Sequence, residues 1–287
     1  MVYVRITEGL GNQFYKYAFG YSLAREIGHE MIIDLAGYKY DPRAFELDRY
    51  AINTKAICLA TPKRNDVISR VTARIKRRFQ IGLFYKMLIE EPKRYYRYEP
   101  VDCSGKKNVY VQGYWQNYRY FSKYEKEIRS QFTMRDMPDR IKMICDRLSS
   151  KNTVALHIRL GDYRVEDRID VEYYHKAISH IQGLLQNPDI YVFCEENDIR
   201  SAHDLFDGYD VRYIVEEYCG LTDVEVFELM RSCRSQIISN STYSWWAAWL
   251  NDYVDKKIIA PLVDHLDSEY YPLDWILIKA EHKKGIF

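Results

Sequence analysis

From residue 153 onward, short apolar runs alternate with helical stretches, and this alternation restricts the fold more than any other feature of the chain. The strand-like runs fall at 153–158, 190–194, 211–215, 236–239 and 257–260. Between them, over about 171–186, 198–206, 223–232 and 243–251, the apolar residues take helical spacing. Strands separated by helices cannot pair as hairpins, so they predict a parallel sheet with right-handed crossovers and helices on both faces. The N-terminal half opens in the same way. "MVYVRI" alternates as a strand, "TEGLGNQ" breaks it, a helical pattern runs from about Gln13 to Ile27, and "EMIID" reads as the next strand. Residues 34–66 are turn-rich, 67–89 read as helix, "NVYVQGYW" as strand and turn, and "YFSKYEKEIRSQF" as a further helix. The prediction is an α/β protein of two lobes, 1–135 and 136–287, whose terminal "WILIKAEHKKGIF" is free to pack back across the first lobe.

Composition narrows the function classes. Lysine and arginine total 42 against 41 acids, a balance that argues against a dedicated nucleic-acid binder. The one strong local imbalance is the helical run 67–89, with Arg70, Arg74, Lys76, Arg77, Arg78 and Lys86 beside Ile68, Val71, Ile75 and Phe79. Three readings fit it: peripheral attraction to anionic lipid, a solvated surface helix, or an oligomer contact. The six cysteines, at 58, 103, 145, 194, 219 and 233, form no CxxC pair and read as buried thiols of a cytosolic protein. No signal peptide is visible, and no apolar run reaches the roughly 20 residues that span a bilayer. The expected location is therefore cytoplasmic, extending to the inner face of the membrane if the basic run meets lipid.

In an open parallel sheet, ligands bind beyond the carboxyl ends of the strands. That rule gathers the unusual residues. "HIRLGDY" puts His157, Arg159 and Asp162 at one strand exit, and "CEEND" puts Glu195, Glu196 and Asp198 at another. "SNSTYSWWAAWL" follows a third, with Ser239, Asn240, Ser241 and Thr242 where a helix begins. Arg159 can fork two donors to a phosphate, or can close a salt-bridged corner. The small hydroxyls can join the helix start in binding phosphate, or can simply cap it. The acids can read a base or sugar edge, or can be solvated helix-start residues. Gly9 and Gly11 mark a tight turn after the first strand, either structural or ligand-binding, and Asn12 and Gln13 offer neutral hydrogen bonds at the next helix start. The spacing is not the dinucleotide fingerprint, because Phe14 stands where its third glycine belongs, and no P-loop follows. Phe14, Tyr17, Ala18 and Tyr21, like Trp245, Trp246 and Trp249, have the spacing of packed faces. No HxxxH, HExxH or DxD pattern suggests a metal site, no GxSxG elbow suggests a hydrolase, and Cys194 reads as a buried thiol.

Four segments in order, "GLGNQFYKYAFG", "VQGYWQNYRYF", "HIRLGDY" and "ISNSTYSWWAAWL", resemble the bacterial α-1,2-fucosyltransferase family, glycosyltransferase family 11. The similarity runs over roughly residues 3–260. It implies a GT-B-like pair of Rossmann-type lobes, with the donor site in the C-terminal lobe, the acceptor side in the N-terminal lobe and an interlobe cleft. It further implies inverting, metal-independent transfer of L-fucose from GDP-β-L-fucose, as donor substrate rather than cofactor, to the 2-hydroxyl of a galactose-terminated glycan. The biological setting implied is O-antigen or capsule biosynthesis. By this resemblance His157 and Arg159 match the first two charged positions of the family's HxRRGDY motif, near the donor diphosphate, and Gly161, Asp162 and Tyr163 match its end. Asn240, Ser241 and Thr242 match the phosphate-side loop, and Gly9, Gly11, Asn12 and Gln13 the N-terminal loop; Gly11, Asn12 and Glu195 are expected to bind the donor together with His157, Arg159, Asn240, Ser241 and Thr242. Asp162 becomes the first candidate base for the acceptor hydroxyl and Glu195 the second. Two positions depart from the family: Leu160 replaces a second arginine, and "FCEEN" replaces an "FSDD"-like string. Either departure can shift donor choice, so transfer of another nucleotide-linked sugar, or donor binding without turnover, are the competing readings.

Overall fold

A computed structural model of the chain describes residues 1–60, 67–90, 96–161, 167–264, 266 and 268–281. The chain divides into two compact units, Met1–Arg135 and Asp136–Phe287. In the first unit the elements run β1 (Val2–Arg5), α1 (Leu10–Glu26), β2 (Met31–Asp34), β3 (Lys55–Ile57), α2 (Val67–Ile81), β4 (Lys86–Ile89), β5 (Val109–Gln112) and α3 (Glu125–Gln131). Among the described residues its strands form one five-stranded sheet in the order β3-β2-β1-β5-β4. Every pairing is parallel. The chain builds outward from β1 to β3, then returns to the other side of β1. The order therefore reverses between β1 and β5.

The second unit runs α4 (Asp139–Ser149), β6 (Thr153–His157), α5 (Val171–Leu184), β7 (Asp189–Phe193), α6 (Ile199–Leu205), β8 (Val211–Tyr213), α7 (Ile214–Glu217), α8 (Asp223–Ser232), β9 (Ser235–Ile237), α9 (Thr242–Leu250), β10 (Ile258–Leu262) and β11 (Ile276–Lys279). Among the described residues its sheet is six-stranded, in the order β11-β10-β9-β6-β7-β8, and again all parallel. Here the order reverses between β6 and β9. Strand β6 is buried along its whole length, as a central strand covered on both faces must be.

The helices start where the local chemistry satisfies their first amide hydrogens. Asp170 accepts from the Tyr173 amide at 2.8 Å to open α5, and Thr222 and Glu225 cap α8 reciprocally. Helix α1 is buried on nearly every side, so it lacks the one-faced pattern of a surface helix. Its Phe14 packs on Phe132 at 4.4 Å and its Phe19 stacks on Trp115 at 3.9 Å. In the second unit Trp245 and Trp246 are fully buried, with Trp275 at 5.4 Å from Trp245, so the tryptophans are core.

Several sequence expectations need correcting. The helix expected over 67–89 stops at Ile81, where Gly82 takes a positive φ of 124° and leads into β4. Within the terminal segment, Ile276–Lys279 pair with β10 as the edge strand of the second sheet, and residues 282–287 lie outside the described residues. The cysteines are all unbridged, but only Cys103, Cys145 and Cys233 are buried, while Cys58 and Cys219 are exposed.

Candidate functional site

The two strands that flank the reversal in the second sheet carry the polar motifs at their exits. Strand β6 ends on His157, and β9 is followed by Ile238, Ser239, Asn240 and Ser241 before α9 begins. His157 is buried, with Nδ1 3.0 Å from Ser239 Oγ, and its ring lies 5.8 Å from that of Tyr243. Arg159 donates from Nη1 to Ser241 Oγ at 2.9 Å. The two motifs, 82 positions apart in sequence, are thus stitched together side chain to side chain at the point where ligands bind in open α/β sheets.

Ser241 serves two readings at once. It caps α9, its Oγ accepting from the Tyr243 amide at 3.3 Å, and it accepts from Arg159 as well. Two acceptances occupy both lone pairs of a hydroxyl, which leaves its hydrogen to donate. The consequence for Arg159 is electrostatic. A helix start carries partial positive charge, and here a permanent cation is held against it. Both attract negative charge, and α9 spans nine residues, enough to present its first amides to an anion.

The loop after β6 is anchored on its other side. The Gly161 amide donates to Asp198 Oδ2 at 2.8 Å, and a Cβ at position 161 would stand 2.8 Å from Asp198 Oδ1. A larger residue there would require the Asp198 carboxylate to move. Asp198 itself is buried, and Glu195 is exposed at the exit of β7. Asn240 donates to the Asp167 carbonyl at 2.8 Å, and Thr242 is the first residue of α9. Asp162 and Tyr163 lie outside the described residues.

A second polar constellation occupies the equivalent reversal in the first sheet, at the exits of β1 and β5. The tight turn expected at Gly9 and Gly11 is made by Glu8, which has a φ of 72°; Gly9 caps α1 with extended geometry, and Gly11, Asn12 and Gln13 lie inside its first turn. Glu8 then organises the region. Its carboxylate accepts from Asn12 at 2.8 Å, from the Tyr114 hydroxyl at 2.9 Å and from Lys16 at 3.3 Å. Asn12 in turn accepts from Gln116 at 2.8 Å, and buried Gln13 donates to the Glu8 and Ala44 carbonyls at 2.8 Å each. Burial lowers the Lys16 ammonium from its ordinary value, and the Glu8 carboxylate opposes that shift.

Sequence reasoning found His157, Arg159 and the Ser239–Thr242 string but missed Asp198 as the loop anchor and Glu8, Lys16, Tyr114 and Gln116 as a network. One signal was available: Lys16 interrupts an otherwise apolar, aromatic helix, which a lysine does only when it is paired. Burial pushes the Cys194 thiol up to about 12, with Asp198, Glu195 and Glu216 adding to the shift. It therefore stays protonated and is no nucleophile. Among the described residues no group of three or more His, Cys, Asp or Glu side chains is placed to hold a metal, and no helix is long and apolar enough to cross a membrane.

Residues 48–278 match the sequence profile of glycosyl transferase family 11. The chain belongs to that family. It is 30% identical to an Escherichia coli alpha-1,2-colitosyltransferase over 279 residues, covering 91% of each chain. It is 29% identical to the Escherichia coli O-antigen biosynthesis glycosyltransferase WbnK over 292 residues, covering 91% of this chain and 93% of the other. The fold is similar to that of the fucosyltransferase NodZ from Bradyrhizobium, with a TM-score of 0.51 at 15% identity over 86% of this chain and 91% of that one. Two parallel sheets with flanking helices thus make a GT-B-type fold, and the family 11 protein is a glycosyltransferase using a nucleotide-linked sugar. The profile begins after "GLGNQFYKYAFG", while the two curated relatives extend across most of the chain.

Proposed function

We propose that the enzyme transfers L-fucose from GDP-β-L-fucose to the 2-hydroxyl of a galactose-terminated glycan, with inversion at the anomeric carbon and without a metal. The observation that carries the donor assignment is Arg159 held by Ser241 at the start of α9, beside His157. Arg159, His157 and the start of α9 lie at neighbouring strand exits, which supports reading this as the side of the donor diphosphate. Transfer forms a bond from the acceptor oxygen to the anomeric carbon and breaks the bond from that carbon to the β-phosphate oxygen. The negative charge that grows on the departing GDP is what Arg159, His157 and the α9 amides stabilise, and preorganised donors act more strongly on charge that develops than on charge already present. The proton of the acceptor hydroxyl passes to a carboxylate, for which Asp162 is the first choice and Glu195 the second. Asn240 and Thr242 line the phosphate side of the same loop. Gly11 and Asn12 hold the geometry of the first unit's loop, on the acceptor side.

A second donor is favoured by a specific observation. The relative at 30% identity is a colitosyltransferase, and Leu160 stands where the fucosyltransferase motif has a second arginine. A leucine removes a fork of donors, so the contacts that select the donor differ from those of the motif. The experiment is a product screen that crosses the purified enzyme with GDP-fucose, GDP-colitose and other GDP- and UDP-sugars over galactose-terminated glycans. Product mass identifies the sugar and NMR the linkage and anomer. An α-1,2-linked fucose on galactose is expected. Efficient transfer from GDP-colitose with little from GDP-fucose replaces the donor, and transfer only from UDP-sugars rejects the reading.

A further inference from the structure

Helix α2 is amphipathic, yet its apolar side faces away from the protein. At 100° per residue Val67, Val71, Ile75 and Phe79 form one row with Ile68 beside it, and their exposures run from 49% at Ile75 to 79% at Ile68. The side against the sheet holds Ala73 and Ile81, with the Arg77 guanidinium 5.0 Å from the Tyr110 ring. A helix of a soluble domain ordinarily does the reverse and turns its apolar stripe inward. The turn that follows extends the patch, with Leu83 and Phe84 at 56% and 93% exposed. An apolar patch of this kind on a folded protein marks a surface that another body covers.

Its charge says which body. Residues 67–89 contain six basic side chains and no acid. Arg70, Arg74 and Arg78 fall between the apolar row and the buried side of the helix, along one flank. With Arg77, Leu83 and Met87 they line a hollow of ≈ 350 Å³. An apolar row bordered by arginines, with an arginine-lined hollow at its side, has the chemistry of a bilayer interface: acyl chains for the row, and phosphate headgroups for the guanidinium forks. A second copy of the chain fits poorly, because residues 67–89 hold no acid to pair with the arginines of an identical face.

We propose that α2 and the turn after it dock the enzyme on an anionic lipid bilayer, with the apolar row at the acyl boundary and headgroup phosphates in the arginine-lined hollow. The inference does not depend on which sugar is transferred. Its test is flotation of the full chain with vesicles of phosphatidylcholine alone and of phosphatidylcholine with phosphatidylglycerol, at low and high salt. The wild type floats with the anionic vesicles, and high salt releases it in part. Arg70→Glu, Arg74→Glu and Arg78→Glu combined lower partitioning by about a hundredfold or more. Ile68→Glu with Phe79→Glu lowers it comparably, while GDP affinity and the urea midpoint stay near those of the wild type. As an independent readout, Phe79→Trp shows a blue-shifted emission on adding anionic vesicles that the wild type does not. Absence of flotation, equal flotation on neutral vesicles, or indifference to both sets of substitutions overturns the proposal. So does a vesicle-free dimer in sedimentation that Phe79→Glu dissociates, which gives the face to a second copy.

Discussion

Arg159 is the residue on which the donor assignment turns. Its hydrogen bond to Ser241 positions the guanidinium, and its charge is independent of pH over the working range. Arg159→Ala should therefore weaken GDP binding and donor use by roughly tenfold to a hundredfold, about 1.5–3 kcal/mol for one charge-assisted contact, with little change in the urea midpoint. Titration calorimetry with GDP measures the first quantity directly, and an unchanged affinity in the folded variant removes Arg159 from the site. Glu90 supports a different expectation, about pH. It follows β4, accepts from the Trp115 amide through one oxygen, and has no hydrogen-bond partner among the described residues for the other. Burial, opposed by that amide, pushes its carboxyl from 4.5 up to about 8. Between those values the unfolded chain releases a proton that the folded chain keeps, so this group makes stability fall as pH rises through the window, and has no further effect above it. Glu90→Gln abolishes the titration. Its unfolding free energy from urea titration, compared with that of the wild type, should rise on going from about pH 4.5 to about pH 8, reaching a difference on the order of a few kcal/mol. Parallel curves for the two proteins would show that Glu90 ionises normally.

At the scale of elements, α1 packs closely on β1 and β2. A Cβ at Gly20 would stand 2.2 Å from Val4 Cγ2 and 3.0 Å from Met31 Sδ, so the helix lies at glycine distance from the sheet. Alanine gains about 1 kcal/mol of helix propensity over glycine, but overpacking a rigid strand contact costs about 1–3 kcal/mol, and a 2.2 Å approach lies at the severe end. Gly20→Ala should lower the urea midpoint with an unchanged slope and leave GDP affinity intact; a more stable variant would mean that the helix shifts freely. Elements of this kind were legible where burial imposes a period. The central strand β6 and helices α5, α8 and α9 follow from apolar spacing alone. Three places were not read, two of them for a physical reason. Strand β3 is a short edge strand, largely exposed, so no apolar pattern marks it. Strand β4 follows α2 after a short turn at Gly82, and the outward apolar row of α2 carries a helical period past the true end of the helix. Helix α4 gave no reading although Ile141, Ile144, Cys145 and Leu148 form its buried side. The turn at Glu8 was misplaced because glycine is the usual left-handed residue and an acid took that role. His157 and Arg159 could be named from their strand exit, but their partners Ser239 and Ser241 could not be assigned, since sheet order is a tertiary property.

At the scale of the whole molecule, both sheets reverse their strand order once, and each reversal carries a polar constellation: Glu8, Asn12 and Tyr114 in the first unit, His157, Arg159 and Ser241 in the second. Equivalent topology does not make the two equivalent in charge. In the first, the Glu8 carboxylate is already neutralised by Lys16 at 3.3 Å, so that cation is committed within its own unit. In the second, a guanidinium and the positive end of a helix meet at one strand exit, and both attract an anion. The prediction is that GDP is held by the second unit. Hydrogen exchange with and without GDP should show slowed amides at the exits of β6 and β9 and in the first turn of α9, because a ligand that binds only the closed form suppresses opening by mass action. Peptides covering Glu8 to Lys16 should exchange as before. The same protection should persist under exhaustive chelation, since Arg159, His157 and the helix amides supply the counter-charge that a divalent cation supplies in metal-dependent transfer. Protection that appears only when a divalent cation is restored would assign that charge to a metal. Protection at Glu8 to Lys16 with none at the β6 and β9 exits would move the nucleotide to the first unit.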